Sequence, residues 1–191
     1  MKDSAALLVY WDGEASDISW PEPCIVEYVT NGQGGINSLS KGTIDAMMAD
    51  KNTSIYDLIG IGNIRKKYPP QTSTEKTVMQ TVIGDMMSAY PSESYGIIFG
   101  SHGSGWLPTI TGTRSIGQDG GRYSSDTALI PELAEVLRTV NPQKFDFVLF
   151  DACMMGCAEV YYELKDAARY CIASVLDIPC LLYTSPSPRD S

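Results

Sequence analysis

The chain contains no apolar run long enough to span a bilayer, which excludes a helical membrane segment within it. Positive charge is scarce as well: 14 Lys and Arg stand against 23 Asp and Glu, a formal net charge of −9 at pH 7. The one basic cluster, Arg65-Lys66-Lys67, reads as a solvated strand or loop face. Nothing else would neutralise phosphates, so nucleic acid is not an expected partner. No signal-peptide core follows Met1-Lys-Asp-Ser4. Read literally that gives a cytoplasmic protein; read as an internal methionine of a longer gene, it gives no address. There is no internal repeat, and one domain is expected. Histidine is the rarest side chain that matters here, because any imidazole chemistry rests on His102 alone.

What is present suits a globular α/β domain. A length of 191 residues with 43% hydrophobic composition is enough for a full core. The end of the chain, Cys180-Leu-Leu-Tyr-Thr-Ser-Pro-Ser-Pro-Arg-Asp190, resembles the in-frame translation of a sequencing adapter rather than the continuation of such a domain. Residues 180–191 are therefore expected to be an adapter-derived tail. The domain is expected over residues 1–179, C-terminally truncated, with the natural protein continuing past Pro179. Four cysteines remain, Cys24, Cys153, Cys157 and Cys171, at spacings that suit no small disulfide scaffold. Cys24 and Cys171 lie in apolar runs and read as small core residues.

Apolar patterning alternates between strand and helix. Ala5–Trp11, Cys24–Thr30 and Ile61–Tyr68 read as strands, with a short helix over Thr43–Asp50. Thr74–Tyr90 is the clearest helix, with Val78, Met79, Val82, Ile83, Met86 and Met87 on one face. A strand over Tyr95–Ser101 leads into His102-Gly-Ser-Gly-Trp106. About twenty residues without periodicity follow, Trp106–Ser125, a length usual for functional loops. A helix is predicted over Asp126–Val140 and a strand over Phe145–Phe150, leading into Asp151-Ala-Cys153-Met-Met-Gly156. A helix from Gly156 to Ala168 and a strand over Tyr170–Leu176 complete the pattern. Such alternation predicts a parallel sheet covered on both faces.

In open parallel sheets, ligands bind beyond the carboxyl ends of the strands. His102 and Cys153 each stand just past such an end, so neighbouring strands would deliver them to one cleft. A helix starting near Gly156 would aim its positive end at Cys153 and favour the thiolate. His102 would assist thiolate formation or protonate a leaving amine. Gly103 and Cys153 are candidate oxyanion donors through their backbone N–H groups. Plainer readings stand beside these: a lone strand-end histidine is more often a turn residue, and a buried cysteine is more often inert. A zinc site from His102, Cys153, Cys157 and an acid lacks the tight ligand pairs of structural zinc, and no metal is assigned. Cys153 and Cys157 are not spaced as C-x-x-C, although a thiol-redox pair remains one alternative function. A non-catalytic binding module on the same fold is the other.

The two segments Tyr95-Gly-Ile-Ile-Phe-Gly-Ser-His102-Gly-Ser-Gly-Trp106 and Phe145-Asp-Phe-Val-Leu-Phe-Asp151-Ala-Cys153-Met-Met-Gly-Cys-Ala-Glu159 together resemble the clostripain family of cysteine peptidases. Ile130-Pro-Glu-Leu-Ala134 and Tyr162-Glu-Leu-Lys-Asp166 also fit. The resemblance runs over Tyr68–Pro179, with Leu7–Asp12 consistent, while residues 13–60 match less well and read as a variable insertion. It implies a caspase-like three-layer α/β/α sandwich with a mainly parallel sheet and a His102–Cys153 dyad. It also implies an acidic S1 residue at Asp151, which would select Arg or Lys at P1. Family members can cleave themselves between the dyad residues, which makes Arg114 and Arg122 candidate self-cleavage sites. Some relatives need calcium; Asp119 and Asp126 are nearby carboxylates, but no calcium loop is legible, and the expected cofactor is none. The expected partners are peptide or protein substrates. Members are typically exported, so the full-length protein is expected outside the cytoplasm, extracellular, periplasmic or at the cell surface.

Overall fold

A computed structural model of the chain describes residues 6–12, 22–30, 33, 35–50, 52–53, 55–104, 115–119 and 126–177. They belong to two compact units, Met1–Gln71 with Ser88–Tyr90, and Thr72–Met87 with Pro91–Ser191.

In the first unit, β1 (Ala6–Trp11) and β2 (Cys24–Val29) precede helices α1 (Lys41–Ala49) and α2 (Ile55–Gly60) and strand β3 (Asn63–Lys67). The three strands form an antiparallel sheet in the order β1-β2-β3. The direction of these strands is not part of the sequence reading, because the period of an apolar run reports burial and not the direction of its neighbour. β2 is central and reads as a nearly unbroken apolar run because its residues are buried along their length. Cys24, Val26, Tyr28 and Ile59 form the core, with Val9, Trp11, Ile36 and Ile61 packed against it. β3 is exposed at every position, as its Asn-Ile-Arg-Lys-Lys sequence requires. α1 starts where the Ser40 hydroxyl accepts the Thr43 N–H at 3.2 Å, a side-chain cap on an otherwise unsatisfied donor.

In chain order, the second region adds α3 (Lys76–Ala89), β4 (Gly96–Gly100), β5 (Ser115–Asp119), β6 (Asp126–Leu129), α4 (Ile130–Val140), β7 (Phe145–Asp151), α5 (Ala158–Leu164) and β8 (Ala168–Ile172). β4, β7 and β8 form a parallel sheet in the order β4-β7-β8, so the α/β class expected for a caspase-like fold is the one observed. Its packed face carries Ile97 and Phe99 of β4 beside Val148 and Phe150 of β7, the two phenylalanine rings stacking at 5.7 Å. Met79 and Ile83 from α3, Leu133, Val136 and Leu137 from α4 and Val160 and Leu164 from α5 complete this core. On the opposite face Ile98, Tyr170 and Ile172 are 55%, 72% and 52% exposed, so the strands alternate as half-buried strands do.

Several boundaries differ from the sequence reading. The helix expected from Asp126 begins at Ile130, because Pro131 is tolerated only in a helix's first turn. The four residues before it form β6, which pairs antiparallel with β5. Part of the stretch expected to lack regular structure is therefore strand. The third helix begins at Ala158 rather than Gly156, and the last strand ends at Ile172. No helix among the described residues is long and apolar enough to cross a membrane.

Candidate active site

The strands β4 and β7 end at the same level. Gly100 is the register partner of Asp151, and the Ser101 N–H donates to the Asp151 carbonyl at 3.2 Å. The two glycine-containing turns therefore leave the sheet side by side. Their contact is close: a Cβ on Gly103 would lie 2.7 Å from the Cys153 carbonyl oxygen, 3.0 Å from Met155 Sδ and 3.1 Å from Ala152 Cβ. Only glycine fits there, since any side chain would push the two turns apart. His102 and Cys153, separated by fifty residues of sequence, thus stand on contacting turns. His102 is exposed and Cys153 half-buried.

Asp151 is the last residue of β7 and follows Phe150, which is buried on the packed face. The strand's alternation puts Asp151 on the opposite face, beside Gly100. A carboxylate at the open end of a parallel strand is chemically able to receive a guanidinium or ammonium.

The Cys153 turn is clamped from below and from the side. Met155 is fully buried, so it plugs the turn into the core. The Met154 N–H donates to the Leu176 carbonyl at 3.2 Å and the Gly156 N–H to the Ser174 carbonyl at 2.7 Å. A Cβ on Gly156 would fall 2.8 Å from the Ser174 carbonyl carbon, so this glycine is also set by close approach. Met154 has φ 58°, a left-handed conformation that costs a non-glycine residue roughly 1 kcal/mol or more and persists only where its surroundings hold it. These features correct the helix-dipole argument for Cys153. α5 has seven residues, begins after the extended cap residue Cys157, and is separated from Cys153 by this clamped turn. The dipole acts within the first turn of a helix, and Cys153 lies outside the first turn of α5.

The His102 turn is held by β5. The Gly117 N–H donates to the His102 carbonyl at 2.9 Å, and Gly103 and Ile116 form an antiparallel bridge. Sequence reasoning missed this contact, although a β-branched residue next to an isolated glycine in Ser115-Ile-Gly-Gln-Asp119 is a recognisable sign of a bulged strand. It also missed Met154, Met155 and Ser174, whose roles depend on contacts across the fold.

Cys24, Cys153, Cys157 and Cys171 are thiols rather than disulfides. Burial pushes Cys171 up to about 11, and burial likewise raises Cys24, with Lys67 opposing and Asp12 adding to the shift. Both fit the core role read from the sequence. Asp119 and Asp126 are register partners of β5 and β6. Among the described residues, no group of three or more His, Cys, Asp or Glu side chains is arranged to hold a metal ion. Arg114, Arg122, Trp106 and the expected tail at 180–191 lie outside the described residues.

The sequence matches the model of the Clostripain family over residues 2–181, a span that includes residues 13–60. No curated protein matches it. Among solved structures it is similar to a secreted C11 cysteine protease from Bacteroides thetaiotaomicron in complex with an irreversible peptide inhibitor. That match has 34% identity and a TM-score of 0.63, covering 91% of this chain and 39% of that one. It is also similar to an inactive zymogen C11 protease from Parabacteroides distasonis, with 27% identity, a TM-score of 0.60, and coverage of 92% and 39%. A further secreted C11 cysteine protease from Bacteroides thetaiotaomicron, iotapain, shares the fold at 21% identity and a TM-score of 0.54, with coverage of 82% and 39%. The chain thus spans 39% of the length of each of these relatives.

Proposed function

The chain belongs to the clostripain family, and from that membership we propose that it carries the His102–Cys153 centre of a cysteine endopeptidase cleaving after Arg or Lys. The observation that carries this reading is the contact of Gly103 with the Cys153 carbonyl at the ends of adjacent parallel strands. It sets a histidine turn against a cysteine turn with no room for a side chain between them, which supports a shared site.

In this reading the Cys153 Sγ thiolate attacks the scissile carbonyl carbon. The oxyanion that develops accepts hydrogen bonds from the backbone N–H groups of Gly103 and Cys153. His102 gives its proton to the departing amine, leaving a thioester on Cys153, and then takes a proton from the water that hydrolyses it. Asp151 receives the P1 guanidinium or ammonium, and its position beside the bare backbone of Gly100 supports that role. The substrates are peptides or proteins, the reaction needs no cofactor, and the protein works outside the cytoplasm. The peptide inhibitor bound to one relative supports the substrate class, and that relative's secretion supports the location. Activation is by self-cleavage after Arg114 or Arg122, a reading supported by the existence of an inactive zymogen among the relatives.

The test uses the full natural polypeptide that contains this sequence, with fluorogenic peptides differing only in Arg, Lys, Asp or Leu at P1. Turnover of the Arg and Lys peptides that Cys153→Ala eliminates is the expected result. Turnover at Asp alone would overturn the Asp151 assignment, and an inert, correctly folded and processed protein would favour a binding module. Self-activation predicts that Arg114→Ala with Arg122→Ala leaves a single uncut chain of low activity; a fully active single chain would refute it.

A further inference from the structure

We propose that Gly117 is a positioning residue for His102, acting through β5 as a strap across the histidine turn. The inference rests on the peptidase reading above and adds to it what holds the imidazole in place.

His102 is exposed, so close packing of its ring is not what fixes its direction; the backbone beneath it has to. Two contacts fix that backbone from the β5 side: the Gly117 N–H on the His102 carbonyl at 2.9 Å and the Gly103–Ile116 bridge. The strap is itself anchored. Ile116 is buried in the core and is the register partner of Ala128 of β6, which is also buried. Beyond Ile116 the β5–β6 register shifts before Asp119 and Asp126 meet again, and Gly117 lies in that irregularity with φ +79°. An irregularity of this kind bends a strand and re-aims its backbone groups. The N–H of Gly117, at the start of that irregularity, is the one that reaches the His102 carbonyl. The backbone conformation favours glycine, and a side chain would also crowd Thr74. An L side chain rarely adopts that φ, and a Cβ would lie 3.1 Å from Thr74 Cγ2. A residue that served only to fill β5 would need neither the φ nor the contact.

The experiment compares wild type with Gly117→Ala in the full natural polypeptide, each normalised to the amount of Cys153 that iodoacetamide labels. Loss of the strap is expected to lower kcat about ten- to hundredfold while KM for an Arg peptide changes little, since misplacing a reacting group by about 1 Å has effects of that size. The pH profiles of kcat/KM and of Cys153 alkylation are expected to shift, because the imidazole no longer holds its place beside the thiol. A purely structural role would reduce only the labelled fraction. The pair Gly117→Asn with Thr74→Ser is expected to restore most of kcat, since Asn tolerates positive φ and Ser lacks the crowded methyl. Should Gly117→Ala fail to fold, Ile116→Val loosens the same anchor mildly, with an expected two- to fivefold fall in kcat. Unchanged kcat and pH profiles in the folded variant overturn the proposal while leaving the peptidase reading intact. A wild type with no Cys153-dependent turnover overturns both.

Discussion

Each unit carries a cysteine and a carboxylate within a few residues of one another, and the two sheets treat them in opposite ways. In β2, Cys24 and Glu27 are 1% and 2% exposed, and the Glu27 carboxylate is closed off by Arg65 at 2.5 Å. At the end of β7, Asp151 and Cys153 are only partly buried. The difference lies in strand direction and not in residue type. β2 is flanked by antiparallel neighbours on both sides, so adjacent strands deliver their turns to opposite edges, and Cys24 and Glu27 lie within the paired strand rather than beyond its end. β4 and β7 run the same way, so both carboxyl ends open at one edge and their turns meet.

The sharpest way to break this comparison is to exchange the roles of the two cysteines. Cys153→Ala is expected to lower kcat by at least about a thousandfold. Cys24→Ala should leave kcat per folded molecule unchanged and lower the urea midpoint, in keeping with a small cavity of about 1 kcal/mol. A folded Cys24→Ala protein without turnover would show that the buried unit takes part in the chemistry.

The carboxylates give the next contrast. Removing Arg65 leaves the Glu27 carboxylate buried and uncompensated, so Arg65→Ala is expected to cost about 3 kcal/mol of stability by denaturant unfolding. Asp151→Asn should leave stability nearly untouched. It is expected to reduce kcat/KM for Arg and Lys peptides about thirtyfold, roughly 2 kcal/mol, with little change for peptides neutral at P1. Equal losses for charged and neutral peptides would mean that Asp151 shapes the turn instead of reading the substrate.

The smallest effect concerns Cys171, whose thiol burial moves from its ordinary 9.0 to about 11. Below pH 9 both folded and unfolded chains keep this proton, so it contributes nothing to the pH dependence. Above pH 9 the unfolded thiol ionises first, and stability falls as pH rises toward 11. Discounted for partial exposure, the loss is about 1 kcal/mol. Cys171→Val is expected to remove that part of the alkaline slope in unfolding curves recorded from pH 8 to 11.

Much of the second unit was legible beforehand. The methionine and aliphatic stripe of α3 has helical spacing, and its predicted face holds the buried residues Met79, Val82 and Ile83. The apolar runs that end in Gly100 and Asp151 are the parallel strands β4 and β7. The exposed reading of Arg65, Lys66 and Lys67 also holds. What was not legible shares one feature, dependence on a partner distant in sequence. Antiparallel pairing of β1, β2 and β3, the β5–β6 pair, and the turn clamped between Met154 and Leu176 are all set by hydrogen bonds that no local pattern encodes.

The sequence by itself determined which runs form strands and helices, which residues end them, and that His102, Asp151 and Cys153 stand at or just past strand ends. Those facts depend on side-chain polarity and on the 3.6- and 2-residue periods of helix and strand, which are local properties. Tertiary structure alone decided that the two turns touch, that Gly103 must lack a side chain to let them, and that Gly117 reaches back to the His102 carbonyl. Contacts of this kind depend on backbone groups, which are identical in every residue and become specific only when the fold brings two of them within hydrogen-bonding distance.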